Sequence, residues 1–344
     1  MNNWIHTSVD NSDIVLSSRI RLARNLSDFL YPHKISIEEG RKIVETIEHV
    51  LQSEESNCKV YRLWEMDPLD RITYLERYLI SSKLIVNNEK GAFITNKDET
   101  ASLMINEEDH IRLQCITAGL NLEEGYKYAE FVDDLIESKL DYDFDEKLGY
   151  MTACPTNIGT GLRASVMIHL PVLTMNGEIN NIFSGLTQIG MTIRGIYGEG
   201  SKAVGNLFQV SNQITLGLSE EEIINNLKAV VYQIINQENL AREKMMKMYK
   251  YKIEDKVYRA LGILNSAVLL DSEECLKLLS YVRLGVEMDI IKDVDKKLLN
   301  ELIVSIQPAM LQSTFNSKLT KEMRQIKRAE LVKKKLKIII KDNL

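Results

Sequence analysis

Cysteine is rare in this chain: four residues in 344, at positions 58, 115, 154 and 275. They stand far apart, so no two have metal-ligand spacing, and a few scattered thiols fit a reducing compartment. Long apolar runs are missing too, and no stretch of about 18 apolar residues could cross a bilayer. Met1 to Asp13 is polar, so no secretory signal is expected. Positive charge is not in excess. The net charge of −6 speaks against a general binder of nucleic acid or of anionic membrane. The chain has no internal repeat, no low-complexity tract and no Walker-type P-loop. What remains is an ordinary globular composition, 44% hydrophobic and 27% charged, long enough for two domains with a sizeable core. A cytoplasmic location is the expectation.

One stretch organises the rest: Cys154-Pro155-Thr156-Asn157-Ile158-Gly159-Thr160-Gly161-Leu162-Arg163-Ala164-Ser165. Its Gly159-Thr160-Gly161-Leu162-Arg163-Ala164 fits the G-x-G-x-x-A dinucleotide fingerprint, which requires a strand before the glycines and a helix after them. Here a polar loop comes first. The residues that follow alternate, with Leu162, Ala164, Val166, Ile168 and Leu170 on one side and Arg163, Ser165, Met167 and His169 on the other. That period of two, closed by Pro171, predicts a strand with one buried face. The dinucleotide reading fails on context.

Before this stretch, Asp13 to Asn25 holds Ser-Ser-Arg-Ile-Arg-Leu-Ala-Arg-Asn, with Arg19 and Arg21 on one side of an extended segment. Ser36 and Glu39 form a capping box for a helix carrying Ile43, Ile47, Val50 and Leu51. Two short strands between Ser102 and Ile116 flank the turn Asn106-Glu107-Glu108-Asp109-His110, and three adjacent acids normally make a solvated turn. Asn121 and Glu124 are expected to cap a helix to about Leu140, with Tyr128, Phe131, Leu135 and Ile136 inward. After the signature strand come a helix over 179–189, Met191-Thr192-Ile193-Arg194, the glycine-rich loop Gly195-Ile196-Tyr197-Gly198-Glu199-Gly200, and a strand over 206–216. Ser219 and Glu222 cap a long helix bearing Ile223, Leu227, Val230, Val231 and Ile234. Beyond Asn239 glycine becomes rare and helix formers dominate, so residues 1–238 and 239–344 read as two domains. Asp271 and Glu274 start another helix in the second, whose tail, Lys321 to Lys341, is basic and amphipathic.

Arg19, Arg21, Arg112, Arg163 and Arg194 all fall on polar-side positions or ends of predicted strands. Five such arginines in an acidic protein suggest a cradle for a polyanion, because guanidinium groups grip phosphate oxygens in a two-pronged way that lysine cannot copy.

These motifs closely resemble those of the phosphagen (guanidino) kinases, which move phosphate between ATP and a guanidinium group. The resemblance covers 154–171, the Ser-Ser-Arg run, the Asn-Glu-Glu-Asp-His block and the Arg-Gly-Ile-Tyr-Gly-Glu loop. It implies an α+β fold: a catalytic domain with a largely antiparallel sheet flanked by helices, plus an all-helical C-terminal domain. It further implies that ATP is contacted by Ser17, Ser18, Arg19, Ile20, Arg21, Arg112, Arg163, Ala164, Ser165, Val166, Met167, Arg194, Gly195, Ile196, Tyr197, Gly198 and Glu199. Mg2+ would sit mainly on the nucleotide, since no carboxylate cage is evident. Glu108 and Glu199 match the two glutamates that clamp the guanidinium, with Glu108 the base and Glu107 the fallback. Cys154 would act as a thiolate beside the substrate cation. Tyr78 stands where the family often has histidine.

The Ser-Ser-Arg motif begins at Ser17, whereas the free-guanidine kinases carry a helical domain before it that helps enclose a small substrate. An open site suits arginine still attached to a protein, and the layout resembles the bacterial protein-arginine kinases of the McsB type. That resemblance implies protein substrates, a zinc-binding activator protein, a Clp protease, a heat-shock repressor and a homodimer. It also implies a phosphoarginine site at Arg324, Gln325 and Arg328, with Gln325 in place of an acidic residue. A free-arginine kinase and a non-catalytic phosphoarginine adaptor are the alternatives.

Overall fold

The structure, a computed structural model, describes residues 1–7, 14–54, 58–195, 203–292 and 294–336. Its strands are β1 (Val15–Arg24), β2 (Lys59–Arg62), β3 (Ala92–Thr95), β4 (Ala101–Ile105), β5 (Ile111–Ala118), β6 (Phe144–Asp145), β7 (Gly149–Tyr150), β8 (Leu162–His169), β9 (Met191–Gly195) and β10 (Leu207–Asn212). The helices are α1 (Ile37–Glu54), α2 (Pro68–Glu76), α3 (Ser82–Val86), α4 (Leu122–Glu137), α5 (Pro171–Met175) and α6 (Ile179–Gln188), followed by α7 (Glu220–Ser266), α8 (Ser272–Glu287), α9 (Lys296–Ser305), α10 (Pro308–Thr314) and α11 (Lys321–Leu336).

Eight strands form one sheet in the order β2-β3-β4-β5-β1-β8-β10-β9, every pair antiparallel. Strand β1 lies near its middle, with Arg19 opposite Ile116 of β5 and Ser165 of β8, and Arg21 opposite Gln114 and Arg163. Partners directly opposite share a face, so this register sorts the whole sheet. One face gathers Ile20, Leu22, Leu113, Cys115, Ala164, Val166 and Val210, all buried. Helix α4 covers it, and at Gly125 a Cβ would stand 3.3 Å from Ile20 Cγ1. The other face carries the arginines.

Capping boxes form as expected at Ser36–Glu39 and Ser219–Glu222. Asp271 likewise accepts from the Glu274 N–H. At α4 the expectation fails, because Asn121 makes no capping bond and turns its amide to Ala118 O instead. The inner stripe of α4 is Leu122, Gly125, Ala129, Val132, Asp133 and Ile136, while Phe131 is 57% exposed. β10 ends at Asn212, short of the expected Leu216.

The expected boundary near 239 falls inside α7, which runs through it and departs from helical geometry only at Tyr249. A buried charge network straddles the same place. Arg242 reaches Glu238 at 2.9 Å and Glu287 at 2.8 Å, and Arg283 reaches Glu287 at 2.8 Å. His169, at the end of β8, lies 2.8 Å from Ser280 Oγ of α8. The sheet and the C-terminal helices α8 to α11 are therefore packed together, not strung on a loose linker.

Candidate active site

The cross-strand register places Ser17, Arg19, Arg21, Arg112, Gln114, Arg163, Ser165, Met167, Gln209 and Arg194 on one face of the sheet. Arg19, Arg21, Arg112 and Arg163 come together. Burial first, then Arg112 and Arg163, pulls Arg19 down to about 10, with only Tyr78 opposing. Arg21 falls well below its ordinary value through burial, then Arg112, Arg19 and Arg163, with Glu107 opposing. A guanidinium stays protonated in a protein; burial is the larger cause of both shifts, and the smaller part that comes from neighbouring arginines is what a polyanion would relieve. Arg21 Nε is buried and has no hydrogen-bond partner among the described residues. Arg194 stands apart on β9, two strands beyond β8.

Next to Arg19 the sheet face forms a hollow lined by Trp4, Ser17, Tyr78, Ile116, Ser165, Met167 and Gln209. The Trp4 and Tyr78 rings pack with centroids 5.9 Å apart. Four residues expected to touch nucleotide turn the other way. Ile20, Ala164 and Val166 have their side chains in the core, and Ser18 Oγ is spent on Gly119 O and the Asn121 N–H. Strand parity is the reason. Gly195 closes β9, whereas Ile196, Tyr197, Gly198 and Glu199 lie outside the described residues.

The turn between β4 and β5 is not the solvated one that three acids suggest. Glu107 is buried and binds Arg112 Nη1 at 2.6 Å, Ser81 Oγ, and the Glu108 N–H at 2.9 Å. Burial alone would raise its carboxyl, but Arg112 and then Ser81 hold it below the usual carboxylate range. Asp109 is buried and accepts from Asn25 Nδ2 at 2.7 Å and from the Ala153 N–H at 2.6 Å. His110 accepts the Leu26 N–H on Nδ1 and faces Leu30 O with Nε2, and burial brings its ring down to about 4. With both neighbours fixed, Glu108 alone of the three acids reaches outward, its Oε2 2.8 Å from Lys83 Nζ. The fallback Glu107 is already committed to an arginine.

Asp109 also brings Cys154 to this place. Its bond to Ala153 joins the residue after Glu108 to the residue before Cys154. Cys154 Sγ is partly exposed and lies 3.1 Å from Thr156 Oγ1. The loop closes on itself because Gly159 and Gly161 take φ of +111 and +63. A Cβ at Gly159 would come within 2.3 Å of Thr215 O.

Comparison with known proteins fits this geometry. Residues 40–241, more than half of the chain, match the family described as ATP:guanido phosphotransferase, C-terminal catalytic domain. Residues 250–343 match the protein-arginine kinase McsB C-terminal domain. A protein-arginine kinase of Clostridium tetani is 87% identical over 98% of this chain and 99% of its own length. The chain belongs to the protein-arginine kinase family. The protein-arginine kinase of Clostridium kluyveri is 57% identical over 98% of this chain and 99% of its own length. Among solved structures a lombricine kinase superposes with a TM-score of 0.59 at 27% identity, covering 68% of each chain. A taurocyamine kinase from Schistosoma mansoni, at 24% identity and a TM-score of 0.57 over 76% of this chain and 39% of its own, shares the fold. The enzyme is thus an ATP:guanido phosphotransferase with an antiparallel sheet flanked by helices and a helical C-terminal region. No helix of the described residues is long and apolar enough to cross a membrane.

The C-terminal arginines are arranged differently from a simple exposed pair. Arg328 is buried and donates to Ile306 O at 2.7 Å and Leu270 O at 2.8 Å. Arg324 donates to Leu319 O at 2.9 Å, and Gln325 O accepts the Leu270 N–H. Glu76, at the end of α2, caps α10 through the Ala309 and Met310 N–H groups. Burial raises its carboxyl, opposed by those two N–H groups and then by Arg328 and Arg324. Trp4 and Lys83 were not singled out by the sequence, because each comes from a segment that carries no motif of its own, whereas Glu76 and Ser81 bound the family-like stretch Glu76-Arg77-Tyr78-Leu79-Ile80-Ser81.

Proposed function

We propose that the enzyme transfers the γ-phosphate of ATP to the guanidinium of arginine side chains in proteins. The observation that carries this is the cluster of Arg19, Arg21, Arg112 and Arg163 on one sheet face, with the outward carboxylate of Glu108 at its edge. The arginines hold the phosphates, and Arg194 extends the cradle outward. Ser17, Ser165 and Met167, with Trp4 and Tyr78, line the hollow where the rest of the nucleotide lies. Among the described residues no group of three His, Cys, Asp or Glu side chains could hold a metal. Mg2+ would ride on the phosphates and water, neutralising charge on the transferring group.

Glu108 hydrogen-bonds the substrate guanidinium, aims one nitrogen in line with the γ-phosphorus and accepts its proton. The P–N bond forms as the bond from phosphorus to the β-γ bridging oxygen breaks, and ADP leaves. Glu199 is the second clamp, and Cys154 faces the substrate cation from the neighbouring loop. Residues 1–238 supply this chemistry and 239–344 a regulatory or dimer-forming part. Arg324, Gln325 and Arg328 bind phosphoarginine there and tune activity. The resemblance to protein-arginine kinases supports a cytoplasmic homodimer acting in a stress response with a zinc-binding activator, a Clp protease and a heat-shock repressor. Replacing Glu108 by Gln is expected to lower transfer by about 10²–10⁴-fold while ATP still binds. Unimpaired turnover in that variant removes Glu108 from the mechanism.

A further inference from the structure

The Glu108 carboxylate already has a cation on it. Lys83 Nζ lies 2.8 Å from Glu108 Oε2, and the contact raises the Lys83 ammonium above its ordinary pKa. The lysine is delivered to this spot by a fixed clip. Ser81 caps α3 through the Leu84 N–H at 3.1 Å, and the same hydroxyl bonds the buried Glu107. At the far end of the helix, Asn87 Nδ2 grips Glu107 O at 2.7 Å and Asn106 O at 3.2 Å. Both ends of α3 are thus tied to the turn that carries Glu108. The pair faces solvent: the Lys83 side chain is 61% exposed and that of Glu108 27%.

A guanidinium and an ammonium compete for the same acceptor. Bidentate guanidinium–carboxylate pairing uses both oxygens, and one of them is taken. Building on the reading of Glu108 as the carboxylate that meets the substrate, we propose that Lys83 is a built-in stand-in for the substrate arginine. It occupies Glu108 in the resting enzyme and is displaced when a side chain enters. Arginine then binds by exchange of one cation for another, not by filling an open carboxylate. Lys83 therefore acts on specificity through KM, favouring arginines that the rest of the substrate already holds in place. The size follows from the exposure of the pair: a partly solvated ion pair shifts a competing equilibrium by a factor of about two to five.

The test uses the full-length enzyme and an arginine-containing peptide. Lys83→Met removes the charge and keeps the length, and is expected to lower the peptide KM by about two- to five-fold, the effect appearing in KM rather than kcat. Lys83→Arg, which keeps a cation there, should hold the wild-type KM or raise it. Equilibrium binding of the peptide in the presence of a non-hydrolysable ATP analogue supplies the second readout. Lys83→Met should tighten it in the wild-type background and not in the Glu108→Gln background. An unchanged or higher KM in Lys83→Met overturns the proposal, and so does equal tightening in both backgrounds, which would make Lys83 a general repulsive charge. Failure of the Glu108 reading shows itself separately, as full turnover in Glu108→Gln alone.

Discussion

Arg19 and Arg21 point one way out of β1 and Arg24 the other, because side chains alternate along a strand. The first two join the cation cluster. Arg24 goes to the core side, where Asp133 binds it at 2.6 Å and the Tyr150 ring lies 3.5 Å from its guanidinium carbon. An arginine in a crowded cation cluster serves binding at the expense of the empty protein. Arg21→Ala is therefore expected to weaken ATP binding by about 10–100-fold, the size of a hydrogen bond to a charged group. It should leave the melting temperature of the unliganded enzyme equal or higher. Calorimetric titration and thermal melts with and without ATP check both halves, and a lower unliganded melting temperature would mean that Arg21 is structural. Parity made these arginines legible in the sequence. The same parity puts the side chains of Ser18, Ile20, Ala164 and Val166 in the core, so these four have only their backbone to offer a nucleotide. Lys83 gave no such signal, since only the folded chain brings α3 against the turn at Glu108.

At the scale of elements, strands were read more faithfully than helix faces. Alternation over 162–170 gave β8 within a residue, because a strand between two others has one unambiguous buried side. Helix α4 misled for a specific reason. Its inner face carries Asp133, needed by Arg24 and by Tyr142 Oη at 3.1 Å, and this leaves Phe131 outward. The acidic turn misled for a related one. Glu107 and Asp109 are acceptable in the interior because each is saturated by donors from elsewhere, Arg112 and Ser81 for one, Asn25 and Ala153 for the other. No sequence rule reveals partners that distant. Their effect is to make the link between β4 and β5 a rigid mount from which Glu108 projects.

Across the whole molecule, the catalytic sheet and the C-terminal helices are locked at Glu287. This carboxylate is fully buried, and although burial alone would raise it, Arg242, then His169 and Arg283, bring it down to about 2. A carboxyl held below its ordinary value of about 4.3 contributes stability above that pH and loses it as the pH falls toward 2. Glu287→Gln leaves Arg283 without its carboxylate and Arg242 with Glu238 alone, and is expected to cost about 3–5 kcal/mol at pH 7. Urea unfolding of both proteins from pH 7 downward should show that gap shrinking below about pH 4. A gap independent of pH would mean that packing, not charge, sets it. The same lock explains why a change of composition near Asn239 was visible while the manner of joining was not: α7 continues past that point and kinks at Tyr249, and the contacts that fasten it come from α5 and α8.

Arginine as the acceptor is tested most directly by incubating the enzyme with ATP, a casein-like protein and free arginine together. Products are then mapped by mass spectrometry under conditions that keep the P–N bond. Acid-labile phosphate on arginine side chains of the protein is the expected result. Phosphate on free arginine alone, or on no arginine at all, would contradict it.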